Sequence, residues 1–162
     1  MVQDISYTVT MTRQDCIRSL FLVPAESYGL PEVAYLSGIP IRKLRREVAG
    51  GYRDGEKVRG AWRFSWRQTV YTAMETWTLA EVHEALGCDA TTVLPPLLAL
   101  RAVTLRLPEY LVRALEAVAV ENETTLEDAI HGELLDFAGT VAGRMESRVP
   151  GYRRAYLFPG RE

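Results

Sequence analysis

A short segment around Gly38 constrains the fold more than any other part of this sequence. Residues 30–36 place apolar side chains at helical spacing, and residues 41–48 do so again until the pair Gly50 and Gly51. Ala34 allows the two predicted helices to approach closely, and Gly38 allows a tight turn between them. The sequence therefore predicts two short helices joined at an angle by a turn of a few residues.

The second of these helices is predicted to be basic on its outer side. Ile39 and Leu44 supply apolar anchors that face the first helix. The positions between the anchors are cationic and should face solvent. These outward residues are Arg42, Lys43, Arg45 and Arg46.

Charge is distributed in blocks along the chain, although the whole protein carries a formal charge of only −2. Residues 42–67 contain nine Lys or Arg against three acids, whereas residues 68–143 contain three against twelve. Residues 144–162 are basic again, with five against two. The first block is a candidate phosphate-binding surface, with a plain solvated basic face as the alternative.

Residues 52–87 predict a hairpin followed by helices. Residues 52–60 are polar and rich in turn formers, and residues 61–66 alternate as a strand does. Helical spacing returns over residues 66–77, and a further helix begins at Thr78. Thr78 and Glu81 have the spacing of a capping box, and Gly87 ends that helix.

Together these features resemble the winged helix-turn-helix domains of MerR-like proteins and their excisionase-type relatives, over about residues 30–87. The resemblance places Arg42, Lys43, Arg45 and Arg46 on a recognition helix. It implies that the hairpin is a wing that grips the DNA backbone through Arg53, Lys57, Arg59 and Arg63. The family's long coiled coil and effector domain have no counterpart here, so ligand sensing is not implied.

A second constellation predicts dimerisation. Residues 101–107 alternate between apolar and polar side chains, and Pro108 ends the predicted strand. Two helices follow, at about residues 108–121 and from about Thr125 onward. A lone amphipathic strand leaves both edges unpaired, so we expect the same strand of a second chain beside it.

This arrangement resembles a ribbon-helix-helix domain of the CopG/Arc type, over about residues 101–142. The resemblance implies a ribbon that presents Thr104 and Arg106 to DNA and a phosphate held near Thr124 and Thr125. The surrounding helices are strongly acidic, which leaves open whether the ribbon contacts DNA or only dimerises. The expected dimer interface comprises Val103, Leu105, Leu107, Leu115, Ile130 and Leu134.

The last segment, residues 143–162, mixes aromatic and basic side chains between Pro150 and Pro159, which argue against a regular helix. One interpretation is an extended segment that binds a partner protein through Tyr152, Tyr156 and Phe158. The equal alternative is a segment that folds back over the core of its own chain. The layout resembles that of type II antitoxins, whose C-terminal tails bind a toxin.

Other functional classes have little support in the sequence. Cys16 and Cys88 are far apart and predict two reduced thiols, with neither a metal site nor a bound cofactor. No motif of an enzyme active site occurs, and catalysis is not expected. The N-terminus does not resemble a signal peptide, and no apolar stretch is long enough to cross a membrane, so we expect a cytoplasmic protein.

The sequence therefore predicts a mainly α-helical protein with short β-strands, in which a winged helix-turn-helix is followed by a ribbon-helix-helix dimerisation module. The boundaries are an N-terminal strand and helix at 1–27, a DNA-binding domain at 28–90, a linker at 91–100, the dimerisation domain at 101–142 and a tail at 143–162.

The leading functional hypothesis is a transcriptional regulator, an autorepressor, that binds an inverted repeat in double-stranded DNA as a homodimer or a higher even oligomer. An antitoxin that neutralises a toxin through its tail and represses its own operon is one alternative. A DNA-bending architectural or excisionase-like factor is another.

Overall fold

The computed structural model describes residues 11–160, which are mainly helical with one small antiparallel sheet. The strand predicted near the N-terminus, at residues 5–11, lies almost entirely outside the described residues. The helices are α1 (Arg13–Leu22), α2 (Leu30–Ser37), α3 (Ile41–Ala49), α4 (Trp66–Ala73), α5 (Leu79–Leu86), α6 (Ala90–Val93), α7 (Glu109–Glu121), α8 (Leu126–Met145) and α9 (Tyr152–Tyr156). The strands are β1 (Tyr28–Gly29), β2 (Glu56–Val58) and β3 (Ala61–Phe64).

Helices α1 to α6 and the sheet enclose the main hydrophobic core. Its fully buried members include Ile17 of α1, Val33 of α2, Leu44 of α3, Val70 of α4 and Val82 of α5. Each of these five helices therefore places one apolar face inward, as its spacing predicts. Burial of these side chains holds the short helices together, since isolated helices of eight to ten residues are unstable in water.

The ends of several helices are fixed by local hydrogen bonds. Thr78 caps α5 by accepting a hydrogen bond from the Glu81 amide at 3.1 Å, and the Glu81 carboxylate accepts one from the Thr78 amide at 2.7 Å. The predicted capping box is thereby confirmed, and the bond from the Thr78 amide lowers the pKa of Glu81. Ser65 and Gln68 form the same arrangement at the start of α4.

The sheet has the strand order β1-β3-β2 and is antiparallel throughout. Residues 59 and 60 form the two-residue turn between β2 and β3. Arg59 has φ 49° and Gly60 has φ 84°, which is the backbone of a type I′ hairpin turn. The hairpin that the sequence predicts is therefore present, with Val58 paired to Ala61 across its end.

The second half of the chain contains a helical hairpin, α7 and α8, that leaves many of its apolar side chains exposed. Helix α7 packs along α8, and the buried contacts of the pair centre on Ala119, Ala129 and Val141. Thr125 caps α8, so this helix begins where it is predicted to begin. Exposed apolar side chains on the pair include Tyr110, Val120, Leu134, Leu135 and Phe137.

Two predictions for this half differ from the structure. Residues 101–107 form no strand within the single chain, because no other segment of residues 11–160 pairs with them, and all seven side chains are exposed. Residues 152–156 form the short helix α9, whereas Pro150 and Pro159 led us to expect no regular helix. The two prolines flank α9 and so cost it no internal hydrogen bond.

None of the helices formed by residues 11–160 combines the length and the apolar character that crossing a membrane requires.

Candidate nucleic-acid interface

The basic residues of α3 face solvent together. Leu44 and Val48 anchor the helix in the core, and Ile41 packs against it. Since Leu44 and Val48 are one helical turn apart, they fix which side of α3 points outward. The four cations predicted to face outward are all exposed, namely Arg42, Lys43, Arg45 and Arg46.

The turn before α3 has a specific backbone geometry. Gly38 ends α2 with φ 70° and ψ 6°, in the left-handed region that glycine occupies without strain. The hydroxyl of Ser37, which is buried, donates to the Val33 carbonyl at 2.6 Å and accepts from the Ile39 amide at 3.2 Å. These bonds fix the angle between α2 and α3.

The hairpin lies beside α3 and adds further cations. Arg59 occupies the exposed tip, while Lys57 and Arg63 lie on its strands. The ammonium of Lys57 lies 5.8 Å from the centre of the Trp62 ring, a cation–π contact that holds the side chain over the strand. Trp62 is half-buried and packs on the core, so it supports the hairpin.

Arg45, Lys57 and Arg63 line one open cleft of about 580 Å³ between α3, the hairpin and the start of α2. Glu32 is the one acid among the described residues that line it, and its carboxylate accepts a hydrogen bond from the Gly29 amide at 2.6 Å. Three cations against one acid make the cleft electropositive. Helix and hairpin thus contribute to a single concave basic surface.

Most of these cations have no acidic partner in the part of the chain that the structure describes. Only Lys43 has a carboxylate within 4.0 Å, that of Glu47 at 3.8 Å. The other six members have no carboxylate within 4.0 Å among the described residues, so the surface attracts anions. We call the set the α3–hairpin surface, which comprises Arg42, Lys43, Arg45, Arg46, Lys57, Arg59 and Arg63.

Arg53 lies elsewhere, although we predicted it as a wing contact. Its guanidinium donates to Glu47 Oε2 at 2.8 and 3.1 Å and to Thr72 Oγ1 at 2.9 Å. It also pairs with both carboxylate oxygens of Glu75, at 2.8 and 2.9 Å. The side chain is only 10% exposed, so Arg53 joins α3 to α4 and is not available to DNA.

The same ion pairs affect proton binding. The hydrogen bond from Arg53 lowers the pKa of Glu47, and the hydrogen bonds to Glu75 raise the pKa of Arg53. Sequence reasoning missed this role because Glu75 lies 22 residues away, in the turn that follows α4.

The predicted ribbon residues Thr104 and Arg106 are exposed on the unpaired segment before α7. Thr124 and Thr125, predicted to hold a phosphate, instead donate to the Asp128 carboxylate at 3.2 and 2.7 Å. The bond from Thr125 lowers the pKa of Asp128, which keeps this acid ionised at neutral pH. A negative charge therefore already occupies the start of α8 and repels a phosphate there.

The residues of the expected dimer interface are open in the single chain. Val103, Leu105 and Leu107 are 71%, 56% and 37% exposed. Leu134 is exposed on α8, and Leu115 and Ile130 are half-buried between the two helices. An apolar surface of this extent is uncommon on a monomer.

The aromatic side chains of the tail pack on their own chain. The ring of Phe158 stacks on that of Phe21 with centroids 6.3 Å apart. Tyr152 stacks on Tyr156 at 6.0 Å and donates from its hydroxyl to the Ala138 carbonyl at 3.1 Å. Of the two interpretations of the tail, the segment that folds back over its own chain describes this arrangement, and the extended segment does not.

Within residues 11–160, no three His, Cys, Asp or Glu side chains are grouped so that they could hold a metal ion. No family model, curated protein or solved structure matches this chain.

Proposed function

We propose that this chain is a sequence-specific transcriptional regulator, an autorepressor, that binds double-stranded DNA through the α3–hairpin surface as a homodimer. The observation that carries the proposal is the exposure of four cations on one face of α3, beside three more on the hairpin. Six of the seven have no acid within 4.0 Å among the described residues.

The proposed binding mode is that of a winged helix-turn-helix. The major groove of B-DNA is about 12 Å wide and admits one α-helix. Arg42, Arg45 and Arg46 would reach base edges or phosphates there, because guanidinium groups pair with guanine and with phosphate alike. Arg59, at the tip of the hairpin, would follow the neighbouring backbone.

The exposed apolar side chains in residues 101–137 support a homodimer. Two copies of residues 101–107 would pair as an antiparallel ribbon, which satisfies their backbone groups and covers Val103, Leu105 and Leu107. Pairing would place two copies of α3 in one assembly. Such a dimer reads an inverted repeat.

The ribbon itself is proposed to dimerise without holding a phosphate at α8. Asp128 occupies that helix start, and residues 68–143 carry twelve acids against three Lys or Arg. These charges raise the cost of bringing the ribbon against DNA.

The test of DNA binding is a fluorescence-anisotropy titration of the purified protein with its own upstream DNA, repeated over a range of salt concentrations. Affinity should fall steeply with salt, and the triple change of Arg42, Arg45 and Arg46 to Ala should weaken binding. It should also reduce the slope of log K against log salt by about 0.9 for each phosphate that the variant no longer neutralises.

The matched control changes three exposed arginines of the second half, Arg113, Arg144 and Arg148, to Ala. The change in net charge is the same, so any loss that depends on overall charge alone appears in both variants. Equal affinity for the α3 variant and the control would overturn the proposal.

Dimerisation is tested by light scattering. Leu105→Asp should lower the molar mass from twice 18.2 kDa to 18.2 kDa. Leu105 is exposed in the single chain, so the change does not disturb the core. Val23→Asp, at an exposed apolar position after α1, should leave the dimer intact. A dimer that survives Leu105→Asp would exclude the ribbon.

No feature of the described residues favours the antitoxin or the DNA-bending alternative over the transcriptional regulator. The interpretation of the tail as a toxin-binding segment uses Tyr152, Tyr156 and Phe158, and these side chains pack on α8, on each other or on Phe21. We therefore propose neither.

A further inference from the structure

A second cleft lies where the C-terminal segment meets the first half of the protein. It has a volume of about 770 Å³, within the range of sites for small organic molecules. Its described lining comes from the start of α4, from residues 93, 95 and 146, and from residues 151–154 and 157–160. We call it the C-terminal cleft.

The walls of this cleft are aromatic and held in place. Trp66 donates its indole N–H to the Leu20 carbonyl at 2.7 Å and meets Phe21 edge to face at 5.9 Å. Its only polar group is therefore satisfied, and the indole ring is the part that the cleft can use. Phe158 stacks on the same Phe21, and Tyr152 is fixed by its bond to Ala138.

The charged residues of the cleft are predominantly basic. Arg67 comes from α4, and Arg153 and Arg154 come from α9. Glu146 is the one acid among the described residues that line the cleft, and it lies 3.8 Å from Arg153. Arg153 and Arg154 place two guanidinium groups against one carboxylate of the described residues, which favours an anion, and guanidinium pairs well with a planar carboxylate.

We infer that the C-terminal cleft binds a small organic anion with a flat aromatic body and a carboxylate group. Apolar walls with a few convergent charged groups are the composition of a small-molecule site. A DNA backbone would use the arginines but not the aromatic walls. The inference goes beyond the proposed function, because it concerns other residues and requires no DNA.

The three tryptophans of the chain give a direct test, since each reports a different place. Trp66 lines the C-terminal cleft, Trp62 lines the cleft beside α3, and Trp77 is buried in the core. Their indole N–H signals are resolved in a ¹⁵N-labelled full-length protein by NMR and assigned with Trp66→Phe and Trp62→Phe. Benzoate, acetate and benzyl alcohol are then titrated separately.

Benzoate should shift the Trp66 signal saturably, with a dissociation constant of about 1 to 10 mM for a ligand of this size, and leave Trp77 in place. Acetate lacks the ring and benzyl alcohol lacks the charge, so each should bind at least tenfold more weakly. Occupied protein should also unfold at a higher temperature.

Arg154→Glu should abolish the saturable shift, because it reverses one charge of the cleft. Arg144→Glu is the matched control on α8, exposed and outside the cleft, and should bind benzoate as the original protein does. The Trp62 and Trp77 signals show whether each variant is folded. The inference is overturned if Trp66 does not shift, if acetate or benzyl alcohol shifts it as strongly as benzoate, or if Arg154→Glu binds unchanged.

Discussion

Replacing Arg53 with Met should lower the free energy of unfolding by about 2 kcal/mol. The guanidinium is 10% exposed and makes hydrogen bonds to Glu47, Glu75 and Thr72. Removing one partner of a buried ion pair costs about 3 to 5 kcal/mol. Glu75 is 40% exposed and regains water, so we place the loss below that range.

The loss is measured by urea denaturation and by thermal unfolding, where it corresponds to a fall in Tm of about 4 to 8 °C. Arg113→Met is the matched control, because Arg113 also contacts two glutamates, Glu109 and Glu116. Its side chain is 71% exposed, so the expected loss is under about 1 kcal/mol.

Equal losses for Arg53→Met and Arg113→Met would refute the reasoning, because burial would then make no difference to the value of the ion pairs. Arg53→Lys separates charge from geometry. Lysine keeps the positive charge but lacks the fork that contacts both oxygens of Glu75, so it should recover only part of the loss.

Three further predictions concern stability. Gly38→Ala should lower the free energy of unfolding, measured by urea denaturation, by about 1 kcal/mol. The loss comes from the left-handed backbone alone, since an added Cβ meets no atom within 4 Å, and Gly38→Asn should cost less. Equal stability of the original protein and the two variants would contradict this. Phe158→Ala should lower the free energy of unfolding by about 1 to 2 kcal/mol and expose the C-terminal segment to limited proteolysis, because the stack of Phe158 on Phe21 is removed. Unchanged cleavage would show that other contacts hold the segment. The lowered pKa values of Glu47 and Glu81 contribute stability that is complete above a pH of about 5 and is lost as the pH falls through their folded-state pKa values. In Arg53→Met most of the part due to Glu47 should disappear, because the hydrogen bond from Arg53 is the largest cause of the lowered pKa of Glu47. An unchanged acid profile of that variant would contradict the assignment.

Local features of the fold could be predicted because their causes lie within a few residues. The capping box at Thr78, the turn at Gly38 and the basic outer face of α3 depend on spacings of three to seven residues, which the sequence displays directly. The hairpin also follows from local pattern. Its type I′ turn adds a detail that the sequence did not indicate, namely Arg59 in the left-handed region.

Predictions about the role of single side chains succeeded less well. Arg53 belongs to a basic run in the sequence, yet in the fold it faces two glutamates and a threonine. Thr124 and Thr125 look available to an anion until Asp128 is placed against both hydroxyls. In each case the competing partner is a carboxylate, which binds a nearby donor before any ligand can.

The sequence by itself determined the order of α1 to α5, α7 and α8, the hairpin and the cationic face of α3, because periodicity, caps and turn residues act over a few positions. Tertiary structure decided which cations remain free and where the tail lies. Arg53 is removed from the surface by Glu75, 22 residues away, and Phe158 is fixed by Phe21 at the opposite end of the chain. Contacts of that kind depend on how packed elements meet in space, which no local pattern records.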